Sequence, residues 1–354
     1  MAFSPLMKFC APFNEWGLAV GRIACLLPVA LVAACTPEGR QYSSSPADAL
    51  EETQEYLAKS KGYESEKNSS SLSVGRIALG KKLFHDKRLS IDGNSACSTC
   101  HNPVEAYTQN RRSVPPGASR RTGGRNAPTL YDVVYRRPLF RDGRANTLEA
   151  QVDGPLLAAN EMANPSMEHL AARVRGMKDY ERFFLYAFSK PADEASIRSA
   201  LSAYQRTLIT GPSRFDQWKF DGRKRRLKKN EIAGYELFVG KGGCSSCHTI
   251  GETSAPLTDN QFHDTGYSRT KPAEFASVDT GRHGVTKNSA DKFAFRTPSL
   301  RNVALTAPYM HDGGLKSLRD VIAFFNESRS LELTAQERAD LEVFLRSLTS
   351  LRRP

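Results

Sequence analysis

Wherever apolar residues form a pattern in this chain, the pattern is helical. Val74, Ile77, Ala78 and Leu83 fall at near-helical spacing and lead into Phe84, so order is expected to begin near residue 72 with a helix. The same periodicity predicts helices over 166–177, 181–188 and 193–209, the last with acidic residues in its first turn, where they complement the helix dipole. Asn230 stands where it would cap a helix running to about 239. Ser317 and Thr334 each precede an acid by three residues, Asp320 and Glu337, the spacing at which hydroxyl and carboxylate cap each other's backbone N–H groups. No stretch sustains the alternation of a strand. The expected fold class is therefore mainly α, with long loops between helices. Residues 36–71 are polar, rich in Ser and Glu and without apolar periodicity, and read as a flexible tether.

Composition changes this picture little. A chain of 354 residues is long enough for two domains, and 40% hydrophobic with 25% charged residues is ordinary for a globular protein. The formal charge of +12 is spread along the chain without a nucleic-acid fold signature. No nucleic-acid partner is expected, and a basic surface that docks an acidic protein fits better. The densest basic run, RKRRLKK at 223–229, reads as a solvated connector between two halves.

Cysteine spacing supplies the candidate chemistry. Cys97-Ser98-Thr99-Cys100-His101 sets two thiols two residues apart with a histidine directly after the second. This pattern holds a haem covalently: the thiols add across its vinyl groups and the histidine becomes the proximal iron ligand. It returns at Cys244-Ser245-Ser246-Cys247-His248, so two haems c are expected. A redox CxxC pair or half a zinc site needs no histidine at that place in both copies. The other three cysteines, Cys10, Cys25 and Cys35, lie in the N-terminal segment, which leaves none for a disulfide. There, residues 23–34 are apolar, too short to span a bilayer, preceded by Arg22, and end Leu31-Val32-Ala33-Ala34-Cys35. The segment resembles a bacterial lipoprotein signal over 1–34, with Cys35 as the lipid-bearing first residue of a membrane-anchored periplasmic protein. The alternative is an ordinary secretory signal that leaves a soluble periplasmic one. Both predict export, in agreement with haem attachment on the far side of the membrane.

The two halves also repeat one another. Gly80-x-x-Leu83-Phe84 precedes the first haem motif and Gly234-x-x-Leu237-Phe238 the second. Downstream, Ala127-Pro128-Thr129-Leu130-x-x-Val133 matches Thr297-Pro298-Ser299-Leu300-x-x-Val303, and Pro138, Asp142, Gly143 and Leu148 match Pro308, Asp312, Gly313 and Leu318, all 170 residues apart. A gap-free match of this length predicts two tandem cytochrome c-like domains, 72–212 and 213–354, each wrapping one haem in long loops.

At these residues the chain resembles the bacterial di-haem cytochrome c peroxidase and MauG family. The resemblance rests on Leu83-Phe84-x-Asp86-x-Arg88-Leu89-Ser90, Asn126-Ala127-Pro128-Thr129, Phe140-x-Asp142-Gly143-Arg144, Leu148-Glu149-x-Gln151, Pro155, Glu161-Met162 and Thr306-Ala307-Pro308-Tyr309-Met310-His311-Asp312-Gly313. It implies a peroxide-reacting N-terminal haem, an electron-transfer C-terminal haem and a calcium ion between them. Gln151, Pro155 and Glu161 would then line the distal face of the first haem, with Glu161 relaying the peroxide proton and Gln151 holding the peroxide by a hydrogen bond. Asn126 and the carbonyls of Thr306 and Pro308 match the calcium site. Taken alone, Glu161 reads as a surface carboxylate and Asn126 as a turn residue.

Three departures mark the branch. The loop over 102–125 contains no histidine to occupy the first haem's distal side, which is the MauG-like condition. Phe325 stands where the family has a methionine or tyrosine ligand to the second haem, and its repeat counterpart is Pro155, so neither can bind iron. Arg141 replaces the family's inter-haem tryptophan and lies opposite His311 in the repeat, a pair placed to face haem propionates. The implied function is activation of hydrogen peroxide at the first haem and oxidation of a partner protein through the second. The alternatives are a peroxidase drawing electrons from a small cytochrome or cupredoxin, and a non-enzymatic electron carrier.

Overall fold

The computed structural model describes residues 45–51, 73–109, 112–118, 124–272 and 279–350. The expected signal segment and Cys35 lie outside the described residues, as does most of the expected tether. Inside that stretch, residues 46–51 are helical and Ala49 packs on the N-terminal core, so this part is not free chain. No helix among the described residues is long and apolar enough to cross a membrane.

The fold is mainly helical. The principal helices are α1 (Val74–His85), α2 (Leu148–Leu157), α3 (Met167–Arg175), α4 (Lys178–Phe188), α5 (Glu194–Arg206), α6 (Arg214–Lys219), α7 (Lys229–Val239), α8 (Leu318–Ser328) and α9 (Ala335–Ser347). Two residues each of β1 (Phe262–His263) and β2 (Phe295–Arg296) pair antiparallel, a ladder too short for periodicity to announce. Ser317 and Thr334 cap α8 and α9 as expected, accepting from the Asp320 and Glu337 N–H groups. Asn230 does not cap α7. The cap is Lys228, whose N–H donates to Glu231 at 2.8 Å, because Glu231 three residues on reaches back to it. Helix α2 was not anticipated, since Gly154 and Pro155 break its pattern; Thr147 starts it by accepting from Ala150 N–H, and Pro155 falls in its last turn.

Two large apolar cores form, one drawn from residues between Ile77 and Leu208 and one from residues between Phe215 and Leu348, and a smaller cluster gathers Val133, Leu139, Ala145 and Leu148. The sequence repeat is written into the backbone. Left-handed conformations recur 170 residues apart at Asp132 and Asn302, Phe140 and Met310, and Gly143 and Gly313. So do the bridges Leu139–Ala145 and Tyr309–Leu315, and Pro155 and Phe325 are each the eighth residue of their helices.

The repeated glycine before each haem motif is a point of helix contact. A Cβ on Gly80 of α1 would lie 1.9 Å from the Ala200 carbonyl of α5, and one on Gly234 of α7 would lie 2.0 Å from the Asp340 carbonyl of α9. An exposed helix would gain roughly 1 kcal/mol from Gly→Ala. Here the sign reverses: Gly80→Ala is expected to destabilise by about 1–3 kcal/mol through overpacking, read as a lower thermal midpoint. A midpoint equal to or above the parent's would show that α1 and α5 separate freely.

Candidate functional site

The two CxxCH segments adopt single helical turns, Cys97–Cys100 and Cys244–Ser246, which place their histidines next to the following loops. His101 donates through Nδ1 to the Tyr107 carbonyl at 3.0 Å, and His248 through Nδ1 to the Leu257 carbonyl at 2.9 Å. Each bond fixes the tautomer that leaves the Nε2 lone pair for a metal. Burial holds both rings below the ordinary histidine range, so they are neutral, as a ligating imidazole must be. The four cysteines are unbridged. Burial and like charge push Cys97 and Cys100 up to about 12, and burial pushes Cys244 to about 11. A redox dithiol needs the opposite shift, and alkylation by haem removes the titration altogether.

A second feature fits haem. Arg136 and Arg296 are buried and Arg141 is half-buried, and among the described residues none of the three is ion-paired to a carboxylate. Arg136 donates to the Thr129 and Tyr131 carbonyls, and its Nε has no acceptor. Arg296 donates to the carbonyls of Phe140 and Thr297 and to Asn260 Oδ1. Desolvation and mutual repulsion hold Arg141 down to about 10 and Arg296 to about 9. Buried cations need anions, and the propionates of two haems are the anions such a cluster would hold. With paired thiols and neutral, oriented imidazoles, the donor set suits haem c in both halves.

The charged side chains near the two motifs are not equivalent. Glu161 follows α2, its N–H donating to Ala158 O at 2.9 Å and its carbonyl accepting from Ala118 N–H. Gly117 presses on this turn, where a Cβ would lie 2.0 Å from the Asn160 carbonyl. The half-buried carboxyl of Glu161 is close enough to raise the pKa of both Cys97 and Cys100, and burial raises its own, against the pull of Arg144. The structure thus brings Glu161 to the first haem motif. Gln151 and Pro155 lie four residues apart on one face of α2, the helix that precedes Glu161. The Gln151 side chain makes no hydrogen bond among the described residues and is available to a ligand.

At the second motif a carboxylate and a cation are both nearby, and Asp259 raises the pKa of His248. Arg329, just past α8, lowers the pKa of Cys244 and His248, and its guanidinium lies 5.0 Å from the Phe325 ring centre. Sequence reasoning missed Arg329, because a lone arginine past a helix end carries no motif; its place one turn beyond Phe325 was the available signal. Cys247, Asp259 and His263 could together hold a metal ion, but haem attachment would take Cys247 and leave the His263–Asp259 pair, 2.7 Å apart.

The halves meet around Asn126. Its N–H donates to the His311 carbonyl at 2.8 Å and its side-chain amide to Ser113 O at 3.1 Å. Arg141 donates to its Oδ1 at 3.0 Å and reaches its backbone carbonyl at 3.4 Å. Arg125 grips Asp279 with two bonds of 2.7 Å and Asp142 with a third. His311 stacks on Phe295 at 4.2 Å. Arg141 and His311 are thus brought together, as the repeat suggests. Of the expected calcium ligands, the oxygens of Asn126 face a guanidinium, while the carbonyls of Thr306 and Pro308 accept no hydrogen bond among the described residues.

Comparison with known proteins gives a consistent result. The family model described as di-haem cytochrome c peroxidase matches residues 75–225. The methylamine utilization protein MauG of Methylorubrum extorquens is 34% identical over 298 residues, covering 78% of this chain and 79% of the relative. A cytochrome c551 peroxidase of Nitrosomonas europaea is 35% identical over 276 residues, covering 77% and 79%. Among solved structures, a MauG-like protein associated with microbial copper homeostasis superposes with a TM-score of 0.70 at 33% identity, covering 79% of this chain and 91% of that one.

Proposed function

Because the chain belongs to the di-haem cytochrome c peroxidase and MauG family, whose members are oxidoreductases that use hydrogen peroxide, we propose a division of labour between its halves. The N-terminal domain, 72–212, takes the peroxide, and the C-terminal domain, 213–354, passes oxidising equivalents to a partner protein in the MauG manner. The observation that carries this reading is the half-buried Glu161 carboxyl beside the first haem motif, on a turn whose carbonyl accepts from Ala118 N–H and close enough to act on Cys97 and Cys100.

Each bound haem supplies an iron that exchanges electrons with peroxide or partner. The chain's residues supply the rest. His101 presents Nε2 to the iron while Tyr107 O holds its other nitrogen. Glu161 accepts the proton on the near peroxide oxygen and returns it to the far one, which leaves as water; the relay consumes no proton overall. Burial raises the Glu161 pKa, which favours that return. Gln151 orients the peroxide by a hydrogen bond, and Pro155 offers no atom that binds iron. Arg136, Arg141 and Arg296 would supply the positive charge that haem propionates need. Export to the periplasm, with a lipid at Cys35, belongs to the same proposal.

The second reading, a peroxidase fed by a small cytochrome or cupredoxin, is favoured by the relative named as a cytochrome c551 peroxidase. Resting reactivity separates the two. With no histidine in 102–125 to displace, the ferric two-haem protein should show a high-spin EPR signal and change its absorbance on mixing with hydrogen peroxide without prior reduction. A protein with two low-spin signals that stays unreactive until one haem is reduced is a reductively activated peroxidase, and the MauG-like reading then fails.

A further inference from the structure

We propose that the Arg141 guanidinium is a built-in cation that takes the place of the calcium ion implied between the two halves, so that this protein assembles its inter-haem junction without calcium. Asn126, 3% exposed, has every polar group engaged: two donors go to His311 O and Ser113 O, and both oxygens receive Arg141. The one residue that would offer calcium a side-chain oxygen therefore already holds a positive charge, supplied by the chain.

The charges around it point the same way. Calcium takes six to eight oxygens and gains most from carboxylates. The three carboxylates near Arg141 and His311 are committed elsewhere: Asp279 to Arg125, Asp142 to Arg125 and Arg144, and Asp312 to Lys271 at 3.1 Å and to the Tyr267 hydroxyl at 3.0 Å. Arg125, Arg136 and Arg296 add positive charge to the same region. A dication set against Asn126 Oδ1 would face Arg141 at contact distance, with no uncommitted Asp or Glu carboxylate among the described residues to offset the repulsion. The guanidinium also does what a bridging ion does. Arg141 holds Asn126, whose N–H holds His311 of the other half, and the Arg141 carbonyl accepts from Arg296 N–H at 2.8 Å. This inference concerns the junction alone and does not depend on which reading of function holds.

The test is calcium content and calcium response of the two-haem protein. After dialysis against EGTA, elemental analysis of the parent should find far less than one calcium per chain, and its EPR spectrum and thermal midpoint should be the same with EGTA or with millimolar calcium chloride. Arg141→Gln removes the cation and leaves an oxygen-bearing side chain; its calcium affinity, by titration calorimetry, should exceed the parent's by at least about tenfold. Arg141→Lys keeps the charge and should behave as the parent. A parent that retains one calcium per chain, or whose EPR spectrum changes when EGTA removes it, overturns the proposal. So does an Arg141→Gln protein that binds calcium no better than the parent. Should that variant not fold, the parent's calcium content and the Arg141→Lys comparison still decide.

Discussion

Glu161→Gln is expected to slow the reaction of the ferric protein with hydrogen peroxide by ~10²-fold or more, the usual scale for loss of a general acid-base group. Glutamine has nearly the same volume and keeps a carbonyl oxygen, but it cannot accept the peroxide proton. Both haems should remain attached and the resting EPR spectrum should stay as in the parent, because Glu161 ligates no iron and its backbone bonds to Ala158 and Ala118 do not involve the side chain. The pH dependence gives a second readout. Burial raises the Glu161 pKa above the usual carboxylate range, and the working form is the ionised one, so the parent's rate should fall as pH drops through that raised value. The variant should lose this limb. Stability moves the other way: a carboxyl raised by folding favours the fold only when protonated, so at neutral pH its removal should leave the thermal midpoint unchanged or higher. Stopped-flow absorbance across pH measures the rate. Parent-like rates with a parent-like pH profile would make Glu161 a structural carboxylate and remove the assigned peroxide site.

What could be read in the sequence was local or repeated. The CxxCH segments, the caps Ser317 and Thr334 and the 170-residue offset depend on residues near one another or on self-comparison, and the structure carries each of them. Helix α2 was hidden because its apolar periodicity stops at Gly154-Pro155, although a proline in the last turn forfeits only one helical bond. Glu161 was legible only by resemblance, since its proximity to Cys97 and Cys100 is made by the 112–118 loop folding over it. The arginine cluster was least legible. Arg136 and Arg141 lie in the segment before α2 while Arg296 ends β2, far along the chain, and nothing local marks an arginine that will be buried without a carboxylate. The repeat held one clue: Arg296 occupies the position equivalent to Asn126, so one half presents an oxygen ligand where the other presents a cation.

Phe325→Met is expected to convert the second haem to histidine–methionine ligation. Phe325 is half-buried on α8, and Arg329, whose guanidinium lies over its ring, is felt at Cys244 and His248, so this stretch faces the second haem motif. Methionine is close to phenylalanine in volume, suits a helix and is flexible enough to bring a sulfur to an iron held from the other side by His248. A thioether stabilises the reduced iron, and axial ligation spans about 0.8 V of potential, so the second haem's midpoint should rise by on the order of 0.1 V or more. A methionine-to-iron charge-transfer band should appear, while the first haem's high-spin signal stays unchanged. Arg329 acts in the same direction through its charge alone, since a nearby cation favours the ferrous state; Arg329→Gln should lower the midpoint, and by less. Redox titration with EPR on the two variants separates ligand from charge. An unchanged second haem in Phe325→Met, with no new band and the parent's midpoint, would mean that this position does not face the iron and that another group completes the site.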